Sequence, residues 1–358
     1  MHKFLIMTNF PSIIRKWYQK NGRHLPWRET NDPYKIWISE IILQQTQVKQ
    51  GLNYYQHFIS KFPDAQALAN ASENQLLQQW QGLGYYSRAR NLHLAAKTIV
   101  TEHNGLFPQT YKKILKLKGI GPYTAAAIAS IAFGEPRPVV DGNVYRVLSR
   151  LFMAGIPIDR TEGKKYFEKR AWELLDHNNP GTHNQAMMEL GALICRPASP
   201  LCRECPVLVF CKAAAQEKQT LFPVRSKKIS RKKRWLHFLI ISQNGQTVVQ
   251  KRIENDIWKG LYQLPLIETK KYSSSDTIRK KLGKALSDGI IIEKTHQEKY
   301  LLTHQELDAS FYNIVWPKNV VIPQTFNQLK NEWIKNENIQ GLPFPQLIQK
   351  NLSKLIKP

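Results

Sequence analysis

All four cysteines of this 358-residue chain lie inside one 17-residue window, at Cys195, Cys202, Cys205 and Cys211. Six, two and five residues separate successive members, whereas random placement would scatter them along the chain. Because thiols in the cytosol are kept reduced, such a group is a better metal site than a set of disulfides. Four thiolates hold either zinc or an iron-sulfur cluster, and ligand chemistry alone does not choose between the two. The window therefore predicts a loop folded around a metal centre.

The charge of the chain indicates a polyanionic partner. Lys and Arg number 52 against 27 Asp and Glu, which gives a formal charge of +25 at pH 7. Nucleic acid ranks ahead of a membrane surface as that partner, although Lys-rich surfaces also arise without one. No apolar run has the length of a bilayer-spanning helix, and residues 1–10 hold only a short apolar patch without a cleavage site. We therefore expect a cytoplasmic protein.

The N-terminal part of the chain has the pattern of packed helices. Apolar residues recur at intervals of three and four, as at Val144, Val147, Leu148 and Leu151, and Gly and Pro fall between such runs. We expect an all-helical region over residues 1–217.

The composition changes after that region. Residues 218–234 gather Lys and Arg, which predicts an exposed basic linker. The pair Asn244-Gly245 then separates two β-rich runs and is a strong hairpin signal. Strands are expected at residues 235–241, 246–252, 300–303 and 310–316. Residues 235–358 are therefore expected to form a smaller α/β domain.

Residues 117–125 read Leu-Lys-Gly-Ile-Gly-Pro-Tyr-Thr-Ala and predict a tight turn into a helix. Gly119 and Gly121 supply the turn, and Pro122 suits the first position of the helix. Backbone N–H groups at a helix start form an anion site, to which Lys118 adds charge. The motif fits a DNA phosphate bound without sequence readout, or simply a turn between two packed helices.

Asp141 is a candidate catalytic carboxylate. It stands just before a helix expected to begin near Asn143, where the helix dipole and free N–H groups favour an ionised carboxylate. A helix cap without catalytic function is the simpler explanation of this residue taken alone.

Glu40 is the second candidate carboxylate. On a helix it shares a face with Gln44 and Gln47, which fits a solvated stripe. It also lies among the apolar residues Trp37, Ile38, Ile41 and Ile42, where burial would raise its pKa as a general acid requires. One neutral and one charged carboxylate form the pair that cleaves glycosidic bonds.

Six segments occur together in this chain. They are Leu25-Pro26-Trp27-Arg28, Pro33-Tyr34-Lys35, Ser39-Glu40, residues 43–48 (Leu-Gln-Gln-Thr-Gln-Val), residues 82–92 (Gly-Leu-Gly-Tyr-Tyr-Ser-Arg-Ala-Arg-Asn-Leu) and the cysteine loop. The combination resembles the MutY-type adenine DNA glycosylases of the helix-hairpin-helix DNA glycosylase superfamily, over essentially the whole chain. The resemblance implies a multi-domain fold, in which an all-α helix-hairpin-helix region with a 4Fe-4S loop precedes an α/β Nudix-like domain.

The resemblance also implies an activity and its residues. The expected reaction is base excision repair of double-stranded DNA, in which adenine mispaired with 8-oxoguanine or guanine is flipped out and removed by hydrolysis, leaving an abasic site. Glu40 would protonate the adenine and Asp141 would stabilise the charge on the sugar, with Tyr123 and Asn143 supporting that aspartate. Residues matching the base pocket are Arg23, Leu25, Trp27, Arg28 and Gln185, and those inserted into the duplex are Gln45 and Tyr85. The ligands implied for a 4Fe-4S cluster are Cys195, Cys202, Cys205 and Cys211, and the implied phosphate contacts are Lys118, Gly119 and Gly121.

Tyr123 separates branches of the superfamily. Bifunctional members, which also cut the backbone, carry a Lys at the matching position, and without that amine no Schiff base forms readily. The expectation is therefore a monofunctional glycosylase.

The C-terminal domain resembles the Nudix-like module of the same family. A Nudix hydrolase needs a Glu-rich metal-binding helix, and residues 272–286 are basic instead, so neither nucleotide hydrolysis nor a Mg²⁺ requirement is expected. In the family a Phe-Ser-His loop recognises 8-oxoguanine. The matching residues here are Leu302, Thr303 and His304, so the hydroxyl and the imidazole are kept while the aromatic ring is absent.

Two other functions compete with this hypothesis. A catalytically silent binder of mismatched DNA would use the same charge, hairpin and cluster, but it would not need Glu40, Asp141 and Tyr123 together. An iron-sulfur pyrimidine glycosylase with lyase activity is opposed by Tyr123 and by the extra domain. We expect a monomer, located in the cytoplasm on nucleoid DNA.

Overall fold

The computed structural model describes residues 9–226, 230–282, 291–315, 325–326 and 329–356. The chain divides into two compact units. The first comprises Met1–Asn70 and Leu94–Lys228, and the second comprises Ala71–His93 and Ile229–Pro358. The expected fold class is confirmed, with helices first and a mixed sheet afterwards. The assignment of residues 71–93 to the second unit was not foreseen, and the exact domain limits stay predictions.

The N-terminal two thirds of the described chain is built of α-helices joined by short turns. The helices are α1 (Phe10–Asn21), α2 (Pro33–Leu43), α3 (Val48–Lys61), α4 (Ala65–Asn70), α5 (Glu73–Gln79), α6 (Ser87–Glu102), α7 (Tyr111–Ile114), α8 (Pro122–Phe133), α9 (Gly142–Phe152), α10 (Thr161–Leu174), α11 (Pro180–Leu193) and α12 (Lys212–Ala215). Short 3-10 turns cover Pro26–Arg28, Cys202–Glu204, Leu208–Phe210 and Gln219–Leu221.

Helix starts follow from side chains that satisfy the first free N–H groups. Asp32 caps α2 by accepting from the N–H groups of Tyr34 and Lys35. Asp141 caps α9 by accepting from the N–H of Val144. These caps set where α2 and α9 begin, and both helices carry residues of the candidate site.

The core of the first unit gathers α1, α9, α10 and α11. Phe10 and Ile14 from α1, Leu148 from α9, Phe167 from α10 and Leu190 from α11 are all fully buried in one cluster. Burying each such side chain contributes roughly 1.5–3 kcal/mol relative to leaving it exposed. The cluster fixes α9 against α11, whose facing sides line the candidate site.

The described part of the second unit contains a mixed sheet of seven strands. Its strands are β1 (Lys232–Gln243), β2 (Gln246–Lys251), β3 (Tyr262–Gln263), β4 (Leu266–Thr269), β5 (Ile291–Leu301), β6 (Gln305–Val315) and β9 (Glu332–Lys335), while β7 (Thr325–Phe326) and β8 (Leu329–Lys330) pair separately. The order is β3-β2-β1-β6-β5, with β4 beside β1 and β9 beside β2. Only β1 and β6 pair in parallel among these described strands. Helices α13 (Ser275–Leu282), α14 (Gln346–Gln349) and α15 (Leu352–Leu355) and the 3-10 turn Asn336–Gly341 complete this unit.

The hairpin predicted at Asn244-Gly245 is confirmed. Both residues have positive φ, 51° and 69°, as a tight two-residue turn between β1 and β2 requires. A second hairpin joins β5 to β6, so Leu302, Thr303 and His304 form its connection instead of continuing a strand.

Two local predictions are wrong. Arg234, assigned to the exposed linker, belongs to β1 and is 8% exposed, because it pairs with Asp256 and Glu268. Gln44 and Gln47 do not extend the helix of Glu40, because α2 ends at Leu43. Lys227 and Lys228 of the linker, and Trp316 at the end of the last expected strand, lie outside the described residues. Among the described helices, none has the length and apolar character needed to cross a membrane.

Candidate active site

A cavity of about 590 Å³ in the first unit brings the two predicted carboxylates together. Glu40 reaches it from α2, and Asp141 reaches it from the start of α9. Its lining also includes eight other residues predicted for catalysis, base binding or insertion, which are Arg23, Leu25, Trp27, Arg28, Gln45, Tyr123, Asn143 and Gln185. The predicted catalytic and base-pocket residues therefore meet at one place in the fold.

Glu40 is buried, with 8% of the residue exposed. Its Oε2 accepts a hydrogen bond of 2.7 Å from the Tyr123 hydroxyl. Burial raises the pKa of Glu40 to about 7, against the hydrogen bond from Tyr123, while the charge of Asp141 adds to the rise and that of Arg28 opposes it. A carboxyl with this pKa is a proton donor at neutral pH, as predicted for a general acid.

Asp141 is held by the first turn of its own helix. Oδ1 accepts from the Val144 N–H at 2.7 Å, and Oδ2 accepts from the Asn143 side-chain amide at 2.8 Å. Desolvation raises the pKa of Asp141, while these hydrogen bonds and the charge of Arg146 oppose the rise. The sequence left open whether Asp141 caps a helix or acts in catalysis. In the structure Asp141 caps α9 and also lines the cavity that Glu40 enters.

Tyr123 differs from its expected place in the network. The resemblance implied that it supports Asp141, whereas its hydroxyl donates to Glu40 and also lies 3.6 Å from the sulfur of Met188. Burial raises the pKa of Tyr123 well above its usual value, so the phenol stays a hydrogen-bond donor. Of the two residues expected to support Asp141, Asn143 donates a hydrogen bond to it, whereas the Tyr123 hydroxyl donates to Glu40.

Glu189 is a residue of the cavity that the sequence analysis missed. It lies on α11 four residues after Gln185, and both line the cavity. Its carboxylate binds Arg23 at 2.6 Å and Arg28 at 2.7 Å, which are two predicted base-pocket residues. A lone carboxylate in the apolar sequence Met-Met-Glu-Leu-Gly was the signal, and it is the same signal that singled out Glu40.

The remaining base-pocket residues form the walls. Leu25 and Trp27 are each 6% exposed, and Trp27 packs edge-on against Tyr55. The side-chain oxygen of Gln185 accepts a hydrogen bond of 3.1 Å from the Tyr18 hydroxyl. Gln45 is exposed at the rim with φ of 60°, a backbone conformation that is uncommon without glycine.

The predicted phosphate-binding turn has the expected geometry. Gly119 has φ of 77°, Gly121 caps α8 and Pro122 opens that helix. Lys118 is exposed beside them. Helix α8 is twelve residues long, and its start leaves N–H groups free for an anion.

Two of the four cysteines contact the buried residue Arg150. Its Nη1 donates to Cys195 Sγ at 3.3 Å, and the carbonyl of Arg150 lies 3.5 Å from Cys211 Sγ. Burial raises the pKa of Cys205 to about 12, and the charges of the three other cysteines add to the rise, so the thiols are neighbours. In the described residues no set of His, Cys, Asp or Glu side chains forms a site for a single metal ion. Four soft donors in one loop fit an iron-sulfur cluster by their chemistry.

Arg146 connects the cysteine loop with Asp141 through Asn143. Its Nε donates to the Cys195 carbonyl at 2.6 Å, and its Nη2 donates to Asn143 Oδ1 at 2.9 Å. Asn143 in turn holds Asp141. The position of the loop is thereby coupled to the orientation of the carboxylate.

A second cavity, of about 480 Å³, lies within the second unit. It contains Tyr85 and the predicted pair Thr303 and His304. The Tyr85 hydroxyl is hydrogen-bonded to Thr303 Oγ1, and the Tyr85 ring is 45% exposed with φ of 47°. These two residues were predicted separately, and the structure shows them in contact.

The fold and both cavities define a class of protein. Residues 38–177 match the HhH-GPD superfamily base excision DNA repair proteins, and residues 236–354 match the NUDIX domain. A solved structure of a thermostable thymine-DNA glycosylase aligns with 60% of this chain and 100% of its own, at a TM-score of 0.56 and 27% identity. The chain is a hydrolytic DNA glycosylase.

Whole-length relatives narrow the class to a family. An adenine DNA glycosylase of Buchnera aphidicola subsp. Schizaphis graminum is 35% identical over 352 residues, covering 96% of this chain and 97% of the relative. The human adenine DNA glycosylase is 43% identical over 222 residues, covering 60% of this chain and 41% of the human protein. The chain belongs to the adenine DNA glycosylase family.

Proposed function

We propose that this chain removes adenine mispaired with 8-oxoguanine or guanine in double-stranded DNA and leaves an abasic site. The observation that carries the proposal is the pairing of Glu40 and Asp141 in one cavity. One carboxyl has a pKa raised to about 7, and the other is held by its helix cap. Such a pair supplies an acid for the leaving group and a negative charge for the sugar.

Glu40 supplies the proton. Adenine is a poor anionic leaving group, and protonation of the ring by Glu40 makes its departure easier. After the bond breaks, the carboxylate of Glu40 accepts a proton from the attacking water and is restored to its acid form.

Asp141 stabilises the positive charge that develops on the sugar. The Val144 N–H and the Asn143 amide fix both of its oxygens before the substrate arrives. Preorganised charge of this kind costs no reorganisation during the reaction.

The base must leave the duplex before either carboxylate can act. Flipping costs a few kcal/mol, which inserted side chains offset. Gln45 at the cavity rim and the exposed ring of Tyr85 are the proposed wedges. The proposed adenine pocket is formed by Arg23, Leu25, Trp27, Arg28 and Gln185. The proposed phosphate site is formed by Lys118, Gly119 and Gly121.

The four cysteines are proposed to hold a 4Fe-4S cluster. The group would supply a structural crosslink for residues 195–211 and would take no part in bond cleavage. Arg146 and Arg150 would connect that loop to the core and to Asn143.

The second unit is proposed to recognise the base opposite the adenine. Thr303 and His304 offer a hydroxyl and an imidazole beside Tyr85, which suits the polar edge of 8-oxoguanine. We further propose that the protein acts as a monomer in the cytoplasm, on nucleoid DNA.

A single-turnover assay tests the proposal. The cluster-loaded protein is mixed with a duplex containing adenine opposite 8-oxoguanine, and strand cleavage is measured with and without alkali. Alkali-dependent cleavage at the adenine that is lost in Glu40→Gln but kept in Glu102→Gln, an exposed glutamate at the end of α6, supports a monofunctional adenine glycosylase. Tight binding without base release would favour the silent binder, and cleavage without alkali would favour a lyase.

A further inference from the structure

Glu189 has no assigned part in the reaction, yet its carboxylate is the most heavily bonded group of the cavity. Its side chain is 0% exposed. Oε1 accepts from the Arg23 backbone N–H at 3.0 Å and from Arg23 Nε at 2.7 Å. Oε2 accepts from Arg23 Nη2 at 2.6 Å and from Arg28 Nη2 at 2.7 Å. One carboxylate therefore fixes the guanidinium groups of two cavity residues.

The charges of the cavity balance only if Glu189 is ionised. Burial alone would raise the pKa of Glu189, but the hydrogen bonds from Arg23 and Arg28 lower it to about 2. Its negative charge therefore persists over the whole working range of pH. Removing it would leave two positive charges without their anionic partner in the cavity that Asp141 also lines, and the Arg28 side chain, 12% exposed, is little screened by solvent.

Arg28 connects Glu189 with Glu40, because it binds the first carboxylate and its charge acts on the second. Its charge acts on Glu40 and opposes the rise in the pKa of that carboxyl. Its Nη1 also donates to the Arg23 carbonyl at 3.2 Å, so the guanidinium is bound at two points. An Arg28 without its anionic partner would favour the ionised form of Glu40, which cannot donate a proton.

We propose that Glu189 is a positioning residue that holds Arg23 and Arg28 against the cavity wall and neutralises them, so that Glu40 remains a proton donor at neutral pH. The proposal rests on the proposed function, because it assigns Glu40 the part of the acid. In this role Glu189 acts through Arg23 and Arg28, which it binds directly. Three charged or titratable groups act on Glu40, which are Arg28, Tyr123 and Asp141. Tyr18 lies beside Arg28 and Gln185, and Arg146 acts on Asp141.

The test is the fall of the single-turnover rate of adenine release at high pH, which is the alkaline limb of the pH profile. The rate is measured from pH 5.5 to pH 9. Deprotonation of Glu40 causes the limb, so a lower pKa of Glu40 moves its midpoint to lower pH. We expect Glu189→Gln to move the midpoint by about one pH unit towards acid. Glu189→Asp keeps the charge and should hold the wild-type midpoint, even where its shorter reach lowers the maximal rate.

Arg28→Gln gives a control of opposite sign. It removes the positive charge that Glu189 neutralises, so the midpoint should move towards alkali. The double variant Glu189→Gln with Arg28→Gln should return the midpoint to near the wild-type value. Circular dichroism and the melting temperature show whether Glu189→Gln folds. If it does not, the other two variants still test the proposal, because Glu189→Asp should leave the midpoint unchanged and Arg28→Gln should move it towards alkali.

The outcomes separate the two proposals. A Glu189→Gln variant that loses rate equally at every pH, or an Arg28→Gln variant with an unmoved midpoint, would overturn the positioning role and leave adenine removal by the wild type intact. Failure of the wild-type protein to release adenine at any pH would overturn the proposed function itself.

Discussion

The hydroxyl of Tyr123 donates a 2.7 Å hydrogen bond to Glu40 Oε2 and so joins the first turn of α8 to the buried carboxyl on α2. The phenol both orients the carboxyl and stabilises its ionised form, because a donor favours the charged state of an acid. The contact therefore sets the pKa of Glu40 below the value that burial alone would produce.

Replacing Tyr123 separates its effect on the orientation of the Glu40 carboxyl from its effect on the pKa of that carboxyl. In Tyr123→Phe the pKa of Glu40 rises, so the alkaline midpoint of the rate moves to higher pH, while the maximal rate falls by about 10-fold as orientation is lost. The pH dependence of single-turnover base release measures both quantities. Tyr272→Phe, which changes a tyrosine 60% exposed in the second unit, is the matched control. A midpoint that moves to lower pH would contradict the account.

The capping role of Asp141 and its proposed catalytic role are separable, because Asn caps helices as well as Asp does. Asp141→Asn should keep the melting temperature near that of the wild type and lower the rate by about 100-fold or more, since the charge that stabilises the sugar is gone. Asp141→Ala should lose the rate and also about 1 kcal/mol of stability. Equal rates for Asp141→Asn and the wild type would exclude an electrostatic role.

The turn before α8 should contribute to DNA affinity through phosphate alone. Lys118→Ala should weaken binding of every duplex to a similar extent and reduce the slope of log K against log salt by about 0.9. Gly119→Ala should weaken binding as well, because φ of 77° is strained for alanine. Fluorescence anisotropy at several salt concentrations measures both, and Lys97→Ala, at an exposed site on α6, is the control. An unchanged salt slope in Lys118→Ala would place the phosphate elsewhere.

Thr303 should affect the preference for the base opposite the adenine more than the rate of adenine release. Thr303→Ala removes the hydroxyl that contacts Tyr85 and should reduce the preference for 8-oxoguanine over guanine by about 10-fold, or some 1–2 kcal/mol for a lost hydrogen bond. Parallel single-turnover rates on the two duplexes measure that ratio. Thr277→Ala, on the exposed face of α13, should leave it unchanged. A ratio equal to the wild type in Thr303→Ala would remove Thr303 from base recognition.

Features encoded by neighbouring residues were predictable. The cap at Asp141, the turn at Gly119 and Gly121 and the hairpin at Asn244-Gly245 each depend on a few consecutive residues, and each is present in the structure. The raised pKa of Glu40 followed from the apolar residues around it in the sequence, which are also its neighbours on α2.

Features that depend on distant partners were missed or wrong. Arg234 looked like linker because its partners Asp256 and Glu268 lie on later parts of the chain. The end of α2 at Leu43 carries no Gly or Pro signal, and Gln45 adopts a positive φ of 60° although it is not glycine. Glu189 was missed because its role depends on its contacts with Arg23 and Arg28, which are more than a hundred and fifty residues away in the sequence.

The proposed reaction depends on Glu40 delivering the proton that releases the base. The single-turnover rate of adenine release should be measured against pH for the wild type and for Glu40→Gln. The wild-type rate should fall above about pH 7, where Glu40 loses its proton, and Glu40→Gln should be inactive at every pH. A wild-type rate that stays constant from pH 6 to pH 9, or a Glu40→Gln variant that still releases adenine, would show that Glu40 is not the proton donor.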